Sequence, residues 1–429
     1  MSVMGRQGII AALDVGTTKV SCFIAKVDVP RTAKSTDRSG PLPAGVVRVI
    51  GVGNQMSQGL KNGTVVDMAA AEATIKRAID SAERQANEVI DRVIVNVSAG
   101  DPKSHTFDVI SDIGGREITV RELSHVIEKC RQSFDAREHD LIHALPTSYS
   151  VDGNPGIRDP QGMFADNLGV TTHFVTAMPG PLRNLAVCVE RCHLELGGRV
   201  LSSYASALSS LVEDERDLGA VCVDMGGGTT SFSVFSGGEM VHADVLRIGG
   251  QHISRDIAQG LSVSLEQAER LKTVYGSALP CESDKREMID INLLGEDLNA
   301  HQQIPRSLLT GIVKPRIEET FEIVRDRLQA SGFDRYTARR LVLTGGGSQL
   351  NGVREVAARI LDKQARQGRP VRISGLSDQL SGPAFSTVTG LIAYAVVGPD
   401  ETLLHQARAR SRGGSGRLSR MGRWIKENF

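Results

Sequence analysis

The sequence predicts a duplicated α/β fold, two related halves around a shared cleft, with a small α/β domain inserted in the first half. Three observations lead to it. Leu-Asp-Val-Gly-Thr-Thr-Lys spans Leu13 to Lys19, Val-Asp-Met-Gly-Gly-Gly-Thr-Thr spans Val223 to Thr230, and Leu-Thr-Gly-Gly-Gly-Ser-Gln spans Leu343 to Gln349. The first two each place an acid at the end of an apolar strand, then glycine and threonine at a tight turn, then a second apolar-rich strand. Strand patterns at Ile9 to Leu13 and Val20 to Val27 flank the first; Ala220 to Val223 and Ser231 to Phe235 flank the second. A single turn of this kind is as readily an ordinary hairpin as an anion site, but its recurrence between apolar strands marks a repeat.

In the first half, Arg31 to Pro43 is rich in Pro, Ser, Thr and charge and reads as an exposed loop, between a strand ending near Val29 and another over Val46 to Val52. Met68 to Asn87 follows as an amphipathic helix with Ile75, Ala78, Ile79 and Ala82 on one side, and Val93 to Val97 as a buried strand. The next strong helix begins only near Pro181, so Gly100 to Thr176 reads as an inserted domain. Within it a helix over Val120 to Cys130 is opened by Thr119 and Glu122 as a capping box, and strand patterns follow at Ser148 to Val151 and Val170 to Ala177.

The second half restarts at Ala220 and turns a hairpin around Gly237 and Gly238. A weakly periodic region reaches about Leu309, after which helix Ile312 to Leu328 leads to strand Leu341 to Leu343, the glycine triplet, and helix Leu350 to Leu361. The residues themselves thus divide the chain into two halves, the insert 100–176, a linker 399–416 and a terminal helix 417–429.

At 429 residues the chain is long enough for roughly two to four domains. Fifty Lys and Arg balance fifty Asp and Glu, so no global charge recruits nucleic acid and none is expected as a partner. The six cysteines sit mostly in apolar patterns without the spacing of a secreted disulfide scaffold, which suits a reducing cytosol. Cys188, Cys192 and His193 fall in a helical run, Leu182 to Leu196, where filling the core is a simpler role than binding metal. His139 and His143 form a second helix-spaced pair, read as structural. Neither a secretory signal nor a stretch of about 18 apolar residues is present, so a surface location requires docking.

The three turns together point to ATP or a close relative, because glycine lets backbone N–H groups approach phosphate without a Cβ in the way. Hydroxyls and N–H groups of Gly16, Thr17 and Thr18, and of Gly226, Gly227, Gly228, Thr229 and Thr230, would grip the β- and γ-phosphates from opposite sides. Lys19 either adds charge beside the first turn or is a solvated surface lysine. Asp14 and Asp224 would hold Mg²⁺ through water, since this small hard cation keeps much of its hydration shell. Gly345, Gly346 and Gly347 would pass against the nucleoside. Glu269 and Lys272 are candidate ribose contacts on a helix over Leu265 to Lys272, with a solvated face as the plainer reading.

The C-terminal stretch has its own logic. Arg408 to Gly416 is basic and glycine-rich, a tether rather than core. Beyond it Leu418, Met421, Trp424, Ile425 and Phe429 share one helical face, and Arg420, Arg423 and Lys426 the other. Such a helix suits an anionic lipid surface, with about 1 kcal/mol of attraction from each nearby Lys or Arg. The alternative is a terminal helix packed on its own domain.

With these turns in this order, the chain resembles the actin, Hsp70 and sugar-kinase superfamily. The long insert after Val93 to Ser98, the run Asp214-Glu-Arg-Asp-Leu-Gly219 before the second phosphate strand, and the basic tail make it most similar to the bacterial cell-division FtsA family, over nearly the whole chain. The resemblance implies an actin-like (ribonuclease-H-like) fold with subdomain 1A at 1–99 and 177–209, 1C at 100–176, 2A at 210–245 and 320–398, and 2B at 246–319. It further implies a polymerising adaptor that holds FtsZ on the cytoplasmic face of the cell membrane at the division site. The C-terminal peptide of FtsZ would dock on subdomain 2B, while 1C would serve self-association and later division proteins. Actin-like ATPases often carry a carboxylate in the segment joining the halves, but Leu201-Ser-Ser-Tyr-Ala-Ser-Ala-Leu208 has none. General-base help is typically worth about 10² to 10⁴-fold, so at most slow ATP hydrolysis is expected, with no catalytic residue assigned. The other reading is a small-molecule kinase of the same superfamily, which leaves the tail without a purpose.

Overall fold

The computed structural model describes residues 8–27, 47–294, 301–371 and 373–397. The loop expected over Arg31 to Pro43 and the terminal helix with its anchoring residues lie outside the described residues. Among the described residues, no helix is long and apolar enough to cross a membrane.

The first half opens with β1 (Ile9–Val15), β2 (Lys19–Val27) and β3 (Val47–Met56), then a small hairpin of β4 (Leu60–Lys61) and β5 (Thr64–Val65). Helix α1 (Met68–Ala86) starts where Asp67 accepts the Ala70 N–H and stops at Asn87 in the left-handed conformation. It buries Ile75, Ala78, Ile79 and Ala82, the side read from the sequence, and leads to β6 (Arg92–Val97). The insert follows as β7 (Lys103–Glu117), α2 (Val120–Ser133), β8 (Asp140–Val151), β9 (Asn154–Ile157) and β10 (Phe164–Ala177). Its sheet runs β7-β10-β8-β9, and α2 carries the expected capping box of Thr119 and Glu122. The chain re-enters the first half through α3 (Pro179–Arg191), β11 (Glu195–Leu201), α4 (Ser202–Ser210) and α5 (Glu213–Leu218).

The second half repeats the order with β12 (Ala220–Met225), β13 (Thr230–Ser236) and β14 (Glu239–Leu246). The smaller lobe contributes α6 (Gly250–Leu261), α7 (Leu265–Tyr275), β15 (Met288–Asn292) and β16 (His301–Pro305). Then come α8 (Arg306–Ser331), β17 (Arg340–Thr344), α9 (Val353–Leu361), β18 (Gln364–Gln367) and α10 (Ser386–Val397). The two five-stranded sheets, β11-β6-β1-β2-β3 and β14-β13-β12-β17-β18, have one design. In each, three antiparallel strands continue into two parallel ones, and a helix crosses over before each parallel strand. Between the halves lies an apolar core that includes Phe23, Tyr204, Phe235 and Leu391, with α4 and α10 packed in it. Burying each such large side chain contributes about 1.5–3 kcal/mol.

Several sequence expectations need correction. Strand β7 went unread because it lies at a sheet edge and leaves most of its side chains in solvent, so its apolar alternation is faint. The run Leu182 to Leu196 is not one helix: α3 ends at Arg191, His193 turns left-handed, and Glu195 onward pairs with β6 as a strand. Cys188 packs in the core, its sulfur 3.8 Å from that of Met68. His139 and His143 do not share a helix; His143 lies buried on β8 and its Nε2 accepts the Leu201 N–H at 2.9 Å. Helix α8 starts at Arg306 rather than Ile312 and accommodates Pro315, and α9 starts at Val353 rather than Leu350.

Candidate functional site

The three glycine turns converge on one cavity of about 700 Å³ between the halves. Asp14, Gly16, Thr17, Thr18 and Lys19 line it from the first half, and Asp224, Gly226, Gly227, Gly228 and Thr229 from the second. Gly345, Gly346 and Gly347 close it from the turn after β17. Thr230 is set apart from this group: it begins β13, is wholly buried, and does not line the cavity.

Hairpin geometry explains how the acids arrive there. Asp14 pairs with Ser21 and Asp224 with Ser231, each one rung before the strand ends, so both carboxylates sit at the lip of a tight turn. The turns close through Gly16 N–H to Lys19 O at 3.0 Å and Gly226 N–H to Thr229 O at 2.8 Å. Thr17 Oγ1 accepts the Gly63 N–H at 2.9 Å, and Val15 N–H is held by Asn96 Oδ1 at 2.7 Å. Helix α6 braces the second turn, with Gly250 and Gln251 N–H groups donating to the Gly226 and Gly227 carbonyls. Gly345 adopts φ +80°, and a Cβ there would overlap Asp224 Oδ1 and the Met225 carbonyl. Only glycine fits.

The electrostatics are those of a buried acid pair with one nearby cation. Burial pushes the Asp14 carboxyl up to about 7, opposed by Lys19 and reinforced by Asp224. Burial also raises Asp224, while hydrogen bonds from Ser206 and Thr387 and the charge of Lys19 pull it down. The Lys19 amine is lowered to about 8 by burial, with Asp14 and Asp224 raising it. It donates to the Ala384 carbonyl and stands 3.4 Å from the Phe385 ring centroid, so it is no solvated surface lysine. Lys272 is likewise mostly buried: it donates to Gly250 O at 3.0 Å, Ser254 Oγ at 2.9 Å and Glu269 Oε2 at 2.7 Å, and both members of that pair line the cavity.

Sequence reasoning missed Asn96, Ser202, Arg306, Asn351 and Thr387, which also line the cavity. Two signals were available. Asn96 interrupts the apolar run of β6, and α4 buries Ser202, Ser203, Ser206, Ser209 and Ser210, an unusually polar set for a helix inside a core.

Residues 221–390 match the family model for the cell division protein FtsA, and residues 99–176 match that of the SHS2 domain inserted in FTSA. A cell division protein FtsA from Rhizobium meliloti (strain 1021) is 45% identical over 99% of this chain and 96% of its own length. The chain belongs to the FtsA family of cell-division proteins. The FtsA insert is therefore the small β7-to-β10 sheet with α2. The fold is actin-like: the PilM–PilN type IV pilus biogenesis complex aligns with a TM-score of 0.61 at 16% identity, covering 90% of this chain and 98% of that one. MreB5 of Spiroplasma citri bound to ADP aligns with a TM-score of 0.53 at 14% identity, covering 93% and 98%.

Proposed function

We propose that this FtsA-family chain is an ATP-binding, self-assembling adaptor that holds FtsZ at the cytoplasmic face of the cell membrane through its C-terminal amphipathic helix and recruits later division proteins. The observation that carries the nucleotide part is the convergence of three glycine turns and two buried carboxylates on one cavity. The donor set fits Mg²⁺: Asp14 and Asp224 offer hard oxygens whose ionised forms are disfavoured by burial, a cost that a divalent cation offsets. When bound, the ion would neutralise triphosphate charge between the turns. Backbone N–H groups of the turns and the Thr17 and Thr18 hydroxyls would orient the phosphates, and Lys19 would add charge from the first half.

Turnover is expected to be slow. Helix α4, which joins the halves, carries serines and no acid, so no carboxylate there can take a proton from water. ATP then acts chiefly on conformation and assembly. Polymerisation multiplies the weak grip of one short terminal helix, because each later contact with lipid becomes effectively intramolecular. FtsZ would dock on the lobe 246–319, and the insert would serve self-association and downstream partners.

The test is flotation with anionic liposomes of the intact chain and of a version ending at Arg412, with and without FtsZ. The intact chain should float and carry FtsZ with it, and the shortened one should not. Equal flotation would refute the anchoring role. Trp424→Glu should abolish lipid binding and leave ATP affinity intact; loss of both would place the helix in the fold instead.

A further inference from the structure

We infer that Ser206 and Thr387 are positioning residues for the Asp224 carboxylate, an inference that rests on the Mg-ATP reading of the cleft. Asp224 Oδ2 accepts from the Ser206 hydroxyl and, at 3.1 Å, from the Thr387 hydroxyl, and these two hydroxyls lie 2.9 Å apart. Ser206 is wholly buried and Thr387 is 9% exposed. Each hydroxyl has a single hydrogen, so two hydrogens serve these three oxygens, and the carboxylate, an acceptor only while ionised, takes at least one of them at Oδ2. The donors come from α4 and from the first turn of α10, neither of which belongs to a glycine turn.

The opposite oxygen is confined as well. The space where a Cβ of Gly345 would stand is filled by Asp224 Oδ1, so the third turn blocks rotation of the carboxylate from that side. With Oδ2 engaged by two hydroxyls and Oδ1 against glycine backbone, the group is held in one orientation at the cavity wall. A metal-bound water needs an acceptor at a fixed place, and outer-shell hydrogen bonds are the ordinary means of fixing one. Among the described residues, the charged side chains that act on this carboxylate are Lys19 and Asp14; the Lys19 amine is engaged by the Ala384 carbonyl, and an ionised Asp14 has no hydrogen to donate.

The variants Thr387→Val, Ser206→Ala and the double variant remove the donors with little change in shape, and Thr387→Ser keeps the hydroxyl. ATP binding would be measured calorimetrically with excess Mg²⁺ and again with excess chelator. In Mg²⁺ the double variant should bind about tenfold or more weakly, in line with the loss of hydrogen bonds to a charged group. In chelator it should match the parent within about twofold, and Thr387→Ser should behave as the parent in both. Equal losses with and without Mg²⁺, no loss in Mg²⁺, or a Thr387→Ser as weak as Thr387→Val would overturn the inference. Should the double variant fail to fold, the near-isosteric Thr387→Val alone decides the matter by the same comparison. A parent chain that binds ATP in neither condition would sink the cleft reading itself, an outcome distinct from a parent that gains affinity with Mg²⁺ while its variants gain equally.

Discussion

The two acid-bearing turns share one register and differ in what they present to each other. Val15 pairs with Val20 as Met225 pairs with Thr230, so Thr17 and Thr18 of the first turn correspond to Gly227 and Gly228 of the second. These positions are in contact across the cleft. A Cβ on Gly227 would overlap the Thr18 side chain, and one on Gly228 would overlap Thr17. One turn therefore supplies side chains and the other the space for them, so that two copies of one motif nest instead of colliding. Their acids differ too: Asp14 is balanced by Lys19, Asp224 by two hydroxyls as well.

Breaking the nesting should have the largest effect. Gly227→Ala is expected to weaken Mg-ATP binding by about ten- to hundredfold, since overpacking of this kind costs about 1–3 kcal/mol. Adding Thr18→Ser, which removes the clashing methyl and keeps the hydroxyl, should recover part of that loss, giving a coupling energy of about 1 kcal/mol in a double-mutant cycle read by calorimetry. Strictly additive effects would mean that the turns do not depend on each other.

The acids offer a second, smaller contrast. A carboxyl raised from 3.8 to about 7 is kept neutral by the fold, a contribution that is complete below pH 3.8 and lost as pH rises through about 7. In chelator at pH 8, Asp14→Asn should therefore stabilise the protein by about 2 kcal/mol, part of the 1.36 kcal/mol per pKa unit available. The gain should fade towards pH 4 while Mg-ATP binding is lost. Asp224→Asn should stabilise less, because Ser206 and Thr387 lose a charged acceptor. Thermal unfolding at pH 5 and pH 8 reads both, and identical shifts for the two variants would erase the contrast.

Much of this was legible in the chain itself. The repeat of acid, glycine and threonine predicted two hairpins and a cleft because the motif is local: strand, turn and strand lie within a few residues. Helices α1 and α2 were legible for the same reason, through an apolar side or a capping box. What stayed hidden depends on pairing over long separations. Strand β11 takes its place by pairing with β6 across the insert, and β7 by pairing with β10. The hydroxyl clamp joins Ser206, Asp224 and Thr387, which meet only after α4 packs on the second sheet and α10 packs on α4 and the first sheet. Periodicity reports which side of an element is apolar, but not which remote polar group a buried serine will find.

The smallest expected effect concerns Lys19, whose register partner in the second turn is Thr229. Its amine is engaged by the Ala384 carbonyl and the Phe385 ring, and a cation–π contact of this kind is worth about 0.5–2 kcal/mol. Contact with a triphosphate must compete with these partners, so Lys19→Gln should weaken Mg-ATP binding by only several-fold. Protons distinguish a phosphate contact from a purely structural role. Burial holds the free amine at about 8, so at pH 9 it is largely neutral, while Asp14, titrating near 7, is already ionised. A triphosphate beside the amine would raise its pKa and draw in a fraction of a proton on binding, visible as a dependence of the binding heat on the buffer's ionisation enthalpy. That uptake should be present in the parent at pH 9 and absent in Lys19→Gln. If both take up protons equally, the amine serves the acid pair and the Ala384 carbonyl alone, and the asymmetry between the turns ends at their threonines and glycines.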